Sequence, residues 1–344
     1  MAKRSVNIKD VAERAKVHPS TVSRVLNPET RSMVSEAVAR RVTRIAEEMG
    51  YSRSKLAYGL RTGRTHTIGV VIPDLTNPMF PPIIRRIERT LASYGYIAIL
   101  ADSDNDQSTE KALVESLKSR NVDGLILATA HRTDSVVNSA AAEQIPMVLI
   151  NRTIDAHTVT AVINDDAFGI ELAVDHLVEL GHKQIAYLGG PQDTSTGHDR
   201  YLAFRKLLKA GKFKSHPKLM TNRKAFAEEE GRRGFKAISQ SGHRFTAVVA
   251  ANDLLALGCY DAMAELGLKC PEDVSVTGFN DMPFVERLAP PLTSVHIPCD
   301  EIGVHAAELL IERIRNPDAP VRTVNLLPRL NIRKSTSALR ARRK

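Results

Sequence analysis

Five polar side chains between positions 20 and 27 are of the types that read and grip a nucleic acid. Hydroxyl and amide groups bond to base edges and phosphates, and an arginine can bind guanine through two parallel hydrogen bonds. Their spacing puts them on the face of a helix opposite Val22, Val25 and Leu26, which face inward. The outward set is Ser20, Thr21, Ser23, Arg24 and Asn27.

Two short helices joined by a tight turn would position this face. Asn7 can cap the first helix, and Pro19 suits the first position of the second helix. This is the helix-turn-helix arrangement, in which the start of the second helix enters the major groove of DNA. The apolar stripe that predicts the first helix consists of Ile8, Val11, Ala12 and Ala15.

The charge distribution separates a basic head from an acidic body. The whole chain has a formal net charge of +9, of which residues 1–66 supply +8 and residues 333–344 supply +6, leaving −5 for the body. A basic head indicates a polyanionic partner, whereas the body needs a different one. The alternative interpretation, a structural helical hairpin with a solvated face, does not explain this asymmetry.

Length and composition limit the class of protein. The 344 residues predict two or three domains, and an apolar content of 43% allows a sizeable core. The amino terminus lacks the apolar stretch of a secretion signal, and no apolar run of about 18 residues predicts a membrane span. Cys259, Cys270 and Cys299 have no CxxC spacing and indicate reduced core thiols. We therefore expect a cytoplasmic protein.

Four segments follow from these patterns. Residues 1–51 form the helix-turn-helix domain, completed by a third helix that Ser35 can cap and Gly50 can end. Residues 52–66 form a hinge helix and linker, whose glycines and cations make a weak helix in isolation. Residues 67–332 form the core, and residues 333–344 a basic tail.

The core alternates short apolar runs with helical stretches, which predicts parallel sheets covered by helices, an α/β fold. Ligands bind open α/β sheets at the carboxyl ends of the strands. Two such halves facing a cleft would form a hinged binder of small molecules. The predicted strands are Ile68–Ile72, Ile97–Leu100, Gly124–Ala128, Val148–Ile150, Ala161–Ile163, Ile185–Leu188, Val248–Ala250 and Val274–Gly278.

Six separated motifs together resemble the lactose/galactose-repressor family of bacterial transcription regulators. They are TVSRVLN, MGY, a short AxxL segment, RTGRT, TIGVVIPDLTNPMF and AANDLLALG, in the order and spacing of that family. The resemblance implies an all-α head joined by a hinge helix to a two-subdomain core similar to periplasmic sugar-binding proteins. It also implies that the chain crosses between the subdomains near residues 165, 290 and 325.

The resemblance assigns DNA contacts residue by residue. The positions that read bases in the major groove of operator DNA are Pro19, Ser20 and Arg24. The positions that hold phosphates are Thr21, Ser23 and Asn27. In the hinge, Leu60 stands where the family inserts a wedge into the minor groove, with Ala57 beside it. The alternative for Leu60 is a linker leucine packed on the core.

Two positions in the head depart from the family pattern. Lys16 replaces the usual glycine of the turn, which predicts a non-glycine residue at positive φ. His18 replaces the usual serine cap, which predicts a weaker start to the second helix unless His18 itself contacts a phosphate.

The resemblance also assigns an effector site. Arg200 aligns with the effector arginine of the family, and Phe80 can stack on a sugar or purine-like ring. With few carboxylates expected beside Arg200, its charge favours a sugar acid as effector over a neutral sugar. The alternatives are helix capping for Asn252 and for Asp253, and a surface ion pair for Arg200. The candidate effector residues are Phe80, Asn151, Arg200, Phe226, Asn252 and Asn280.

Catalytic and metal motifs are not matched. Asp102, Asp104 and Asp106 copy the start of an EF-hand loop, but Gln107 and Leu113 replace its glycine and its terminal glutamate. With no Walker A, GxSxG, HExxH or zinc spacing, we expect neither an enzyme nor a cofactor nor a metal. The remaining alternatives are a solute-binding protein of a transport system and an enzyme acting on a sugar or nucleotide.

The expected function is therefore repression controlled by a small molecule. A homodimer would hold two heads over a near-palindromic, double-stranded operator, away from any membrane. No leucine heptad follows Arg333, which favours a dimer over a tetramer.

Overall fold

The structure is a computed structural model that describes residues 6–27, 30–51 and 64–339. It divides into two compact units, Met1–His66 and Thr67–Lys344. In the part of the chain that the structure describes, no helix is long and apolar enough to cross a membrane.

The first unit is a cluster of short helices around a small apolar core. Asn7 Oδ1 accepts hydrogen bonds from the amides of Lys9 and Asp10, and the Asp10 carboxylate accepts one from the Asn7 amide. The predicted cap is therefore confirmed. Ser35 stands at the start of the third helix, although its side chain makes no capping bond there. Gly50 follows that helix with φ +64°, as predicted for its end. The helices are α1 (Ile8–Ala15), α2 (Pro19–Val25) and α3 (Glu36–Glu48).

The turn between α1 and α2 shows how the two departures from the family pattern are accommodated. Lys16 has φ 52° and ψ 49°, which confirms the predicted positive φ, and its amide donates to the carbonyl oxygens of Ala12 and Glu13. His18 Nδ1 accepts a hydrogen bond from the Ser20 amide at 3.2 Å. An imidazole therefore caps the second helix in place of a serine.

Replacing Lys16 by glycine is expected to stabilise the first unit by about 0.5–1 kcal/mol, because a side chain at positive φ carries a steric cost. Hydrogen exchange of the buried Val11 and Val25 amides in the full chain would measure this. Lys9→Gly, at an exposed helical position, should destabilise the same unit by a similar amount. Unchanged or faster exchange in Lys16→Gly would contradict the explanation.

The second unit contains two six-stranded sheets, each covered by helices. The first sheet is parallel, with order β11-β5-β4-β3-β1-β2. Its strands are β1 (Thr67–Ile72), β2 (Ile97–Asp102), β3 (Gly124–Leu127), β4 (Met147–Ile150), β5 (Ala161–Asn164) and β11 (Thr323–Leu326). Its helices are α4 (Phe80–Ser93), α5 (Gln107–Ser119), α6 (Ser135–Ala142) and α11 (Cys299–Arg315).

The second sheet has order β12-β10-β9-β8-β6-β7, and only its β10–β12 pair is antiparallel among the strand pairs described. Its strands are β6 (Ile185–Gly189), β7 (Met220–Asn222), β8 (Ala247–Ala250), β9 (Ser275–Asn280), β10 (Thr293–His296) and β12 (Arg329–Asn331). Its helices are α7 (Asp166–Glu179), α8 (Ser195–Lys209), α9 (Glu228–Ser239) and α10 (Asp253–Glu265).

The eight strands predicted from the sequence are all present, with ends shifted by at most two residues. The chain passes between the halves at Asp165 and at residues 327–328, as predicted near 165 and 325. The third crossing lies at residues 297–298 and not near 290, because β10 still belongs to the second sheet.

Residues 333–339 are part of the second half, so the predicted separate tail is wrong for them. Ser335 is buried, where its hydroxyl donates to the Val276 carbonyl at 2.6 Å and accepts from the Thr293 amide at 2.7 Å. The rest of that segment, residues 340–344, lies outside the described residues.

Two histidines form hydrogen bonds with the same segment, residues 333–339. His176 bonds to the Thr336 hydroxyl at 2.8 Å and His182 to the Ser337 carbonyl at 3.0 Å. Burial lowers the pKa of both imidazoles, which favours their neutral form. Both imidazoles are therefore buried side chains that hold this segment against the second half.

Candidate functional site

The outer face predicted for the second helix is present on α2, with one exception. Ser20 and Arg24 are exposed, and Pro19, Thr21 and Ser23 are half-buried. Asn27, by contrast, is only 7% exposed, so the prediction that it lies on the outer face is wrong. The chain turns there, because the Asn27 carbonyl accepts hydrogen bonds from the amides of Thr30 and Arg31. Two further predicted contacts, Ala57 and Leu60, lie outside the described residues.

All six predicted effector residues line one cavity. The strand ends explain the convergence, because Asn151 follows β4 and Asn280 ends β9. Helix starts supply the others: Phe80 begins α4, and Asn252 caps α10 by accepting from the Leu255 amide at 2.9 Å. The capping alternative for Asn252 is thus realised while its side chain also borders the cavity.

Arg200 is a buried, fully compensated cation. It is 2% exposed, and both Nε and Nη2 lie 2.8 Å from Asp166 Oδ1. Nη1 donates to the Ala251 carbonyl at 2.6 Å, and the guanidinium stacks 3.7 Å from the Phe279 ring centre. Burial raises the pKa of Asp166 to about 6 against the opposing effect of Arg200, which leaves the carboxylate ionised at neutral pH. The expectation of an uncompensated Arg200 charge is wrong, and so is the surface ion pair.

Two asparagines in the cavity have unused hydrogen-bonding capacity. The Oδ1 atoms of Asn151 and Asn280 are buried and have no partner among the described residues. Both residues also have positive φ, 61° and 106°. Unpaired buried polar atoms and backbone strain concentrate where a ligand is bound. The cavity is therefore prepared for a polar molecule.

Asp253 braces the second half beside the cavity. It is fully buried, and it accepts hydrogen bonds from the Met282 amide at 2.8 Å and the Ser294 hydroxyl at 2.5 Å. Burial raises the pKa of this carboxyl to about 7, although both hydrogen bonds oppose the rise. The helix-capping alternative therefore describes Asn252 and not Asp253.

Direct contacts join the two halves along one edge of the cleft. The Arg132 amide donates to the Asp193 carbonyl at 2.8 Å, and the Thr153 amide donates to Ser195 Oγ at 3.0 Å. His131 Nδ1 lies 3.3 Å from Asp193 Oδ2. These contacts stabilise the relative orientation of the two halves in this structure.

Two aspartates of the segment 102–106 accept hydrogen bonds from backbone amides. Asp102 accepts from the amides of Leu75 and Asp104, and Asp106 caps α5 through the Thr109 amide at 2.7 Å. Hydrogen bonds from Ser108 and Thr109 lower the pKa of Asp106 to about 2.

Arg152 also lines the cavity, and it was not among the predicted effector residues. It immediately follows the predicted contact Asn151 and is 7% exposed. A charged residue directly after a strand end was the available signal.

Comparison with known proteins gives two family matches in this chain. Residues 7–54 match bacterial regulatory proteins of the lacI family, and residues 174–336 match a periplasmic binding protein-like domain. The HTH-type transcriptional repressor PurR of Haemophilus influenzae (strain PittEE) is 34% identical over 337 residues, 96% of this chain and 99% of that protein. The ribose operon repressor of Escherichia coli (strain K12) is 32% identical over 93% of this chain and 97% of its own length.

Solved structures agree with these matches. The lac repressor dimer bound to operator and the anti-inducer ONPF is 26% identical, with a TM-score of 0.85 over 97% of this chain and all of that one. The transcriptional regulator CelR in complex with cellobiose is 28% identical, with a TM-score of 0.73 over 96% of this chain and 99% of that one. This chain belongs to the lacI family of bacterial regulatory proteins, and it is a DNA-binding repressor whose core binds a small-molecule effector.

Proposed function

We propose that this chain acts in the cytoplasm as a homodimeric repressor whose grip on a near-palindromic operator depends on a sugar or sugar acid in the cleft. The observation that carries the proposal is the convergence of all six predicted effector residues on one cavity whose polar atoms are partly unpaired. The cleft binds its ligand without turnover in this proposal.

Control of DNA binding follows from the two-sheet architecture. Three crossings connect the halves, so an effector that binds one relative orientation more tightly shifts the population toward it. That shift changes the spacing of the two hinge segments in a dimer, and with it their ability to fold in the minor groove. The coupling is reciprocal, since operator binding must change effector affinity by the same factor.

The polarity of the cavity supports a polyhydroxylated effector. Amide groups of Asn151, Asn252 and Asn280 border it, and Phe226 supplies an aromatic ring. Hydroxyl groups can satisfy amide oxygens and nitrogens together, and an aromatic ring covers the apolar face of a sugar. A ribose operon repressor among the relatives and a cellobiose complex among the structures agree with this class of ligand.

A competition experiment tests the function. Purified protein should retard a fragment of its own promoter region in the presence of excess genomic competitor, and one metabolite should change that retardation. Equal affinity for promoter and bulk DNA, with and without metabolites, would reject the proposal. If the promoter fragment is retarded but no metabolite alters the retardation, specific DNA binding stands and the proposed control by a ligand is rejected.

Leu60→Ala is expected to lower operator affinity at least tenfold, because an apolar wedge in the minor groove permits the bend that brings further contacts. A gel-shift titration at fixed salt measures it. Leu75→Ala is a matched control, since Leu75 is an exposed leucine of the second unit and should leave operator affinity unchanged. Undiminished affinity in Leu60→Ala would assign that leucine to the linker.

A further inference from the structure

Arg152 lines the effector cavity as a second buried arginine, and it lacks the compensation that Arg200 has. It is 7% exposed, and its Nε has no hydrogen-bond partner in the described part of the chain. Among the described residues its side chain makes one long hydrogen bond, from Nη1 to the Thr129 carbonyl at 3.5 Å. Among the described ion pairs none involves Arg152, whereas Arg200 has Asp166 at 2.8 Å.

The acids around Arg152 are engaged elsewhere. Glu110 is buried and accepts its hydrogen bond from the Thr129 hydroxyl. Burial raises the pKa of Glu110 to about 7, so this carboxyl is only partly ionised at neutral pH. Asp193 is largely exposed and lies 3.3 Å from His131. Burial lowers the pKa of Arg152 to about 10, which still leaves it protonated.

The helices around the cavity add to this positive potential. Phe80, Thr196 and Asn252 line it from the first turns or cap of α4, α8 and α10, where backbone amides and helix dipoles favour negative charge. Asp74 is the lining carboxylate, and its Oδ1 already accepts from the amide and hydroxyl of Thr76. Asp166 is neutralised by Arg200.

We infer that the effector carries an anionic group, a carboxylate or a phosphate, which pairs with the guanidinium of Arg152, while its hydroxyl groups meet Asn151 and Asn280. The inference deepens the proposed function and rests on it. A buried cation without a counter-ion is unfavourable, and an arriving anion removes that penalty through charge-assisted hydrogen bonds. A neutral sugar offers no such gain, so the same residue discriminates against it.

The first arm of the test compares two arginine variants of the ligand-free protein. Arg152→Met should raise the unfolding midpoint, by about 2–4 °C, because it removes an uncompensated buried charge. Arg200→Met should lower the midpoint, because it strands Asp166. A fall in Arg152→Met as large as that in Arg200→Met would show that the Arg152 guanidinium is structural, and would overturn the inference.

The second arm measures binding by titration calorimetry. The probes are D-glucose with D-gluconate and D-glucuronate, D-galactose with D-galactonate, and D-ribose with ribose 5-phosphate. At least one charged probe should bind ten times or more as tightly as its neutral parent, and the carboxylate and phosphate probes separate the two sources of charge. Arg152→Met should abolish that preference, and Arg152→Lys, which keeps the charge, should retain part of it.

Three results would overturn the inference: equal binding of neutral and charged probes, an unchanged preference in Arg152→Met, or no binding of any charged probe. None of them removes the proposed function. Promoter retardation by the same preparation tests that function separately, and a neutral sugar that binds and alters retardation would preserve it while excluding the anionic group.

Discussion

Arg200→Met is expected to lower the free energy of unfolding of the second unit by about 3–5 kcal/mol, because it leaves the buried Asp166 carboxylate without a counter-ion. Arg200 Nε and Nη2 both lie 2.8 Å from Asp166 Oδ1, and the Ala251 carbonyl loses its partner as well. Urea unfolding followed by far-ultraviolet circular dichroism would measure the loss, since the chain has no tryptophan.

A double variant and a surface variant control this experiment. Arg200→Met combined with Asp166→Leu removes both charges and should recover much of the stability that the single variant loses. Arg233→Met, at an exposed arginine that also pairs with a glutamate, should cost less than about 1 kcal/mol. A similarly small cost for Arg200→Met would contradict the role given to the buried pair.

Arg24→Ala is expected to weaken specific operator binding by about 1–3 kcal/mol, equivalent to roughly 5- to 150-fold, if Arg24 reads a guanine in the major groove. Arg24 is exposed on α2, so its removal should leave the helical core of Val11, Val22 and Val25 intact. Fluorescence anisotropy with operator and with scrambled DNA would show a larger loss on the operator, because a base contact carries sequence information.

Arg44→Ala is the matched control for Arg24→Ala. Arg44 is an exposed arginine of α3, where it lies 3.7 Å from Glu48. Its removal takes away the same charge from the same unit, away from the reading helix, and should change both DNA affinities little. An equal loss in both variants, on both DNAs, would show that Arg24 acts only through its charge.

The cavity residues could be predicted because, in an α/β fold, a residue that directly follows a strand lies at the edge of the sheet where ligands bind. Asn151 and Asn280 directly follow apolar runs, and parallel strands bring their carboxyl ends to one edge. Of the four described strands that were not predicted, β7, β11 and β12 are short, and most of their residues are partly or fully exposed. The fourth, β10, is short but mostly buried. Alternation of apolar and polar residues is a weak signal in such strands.

The charge pairing at the site could not be predicted. Asp166 and Arg200 are separated by 34 positions, and the sequence pattern gives no indication that they meet. Because that pairing was missed, we expected the guanidinium of Arg200 to have no counter-ion. In the structure Arg200 pairs with Asp166, and the cavity arginine without a counter-ion is Arg152. Asn27 shows the same limit locally, since the turn after α2 buries a residue whose helical position is outward.

The strand order also constrains how this protein is made. β11 is the edge strand of the first sheet, beside β5. Along the chain, however, these two strands are separated by the second half, except for β12 and residues 332–339, which follow β11. A nascent chain on the ribosome therefore presents the open edge of β5 until synthesis has passed Leu326. Unpaired edges invite association with other chains, so interruption of synthesis before Thr323 leaves a product prone to aggregate.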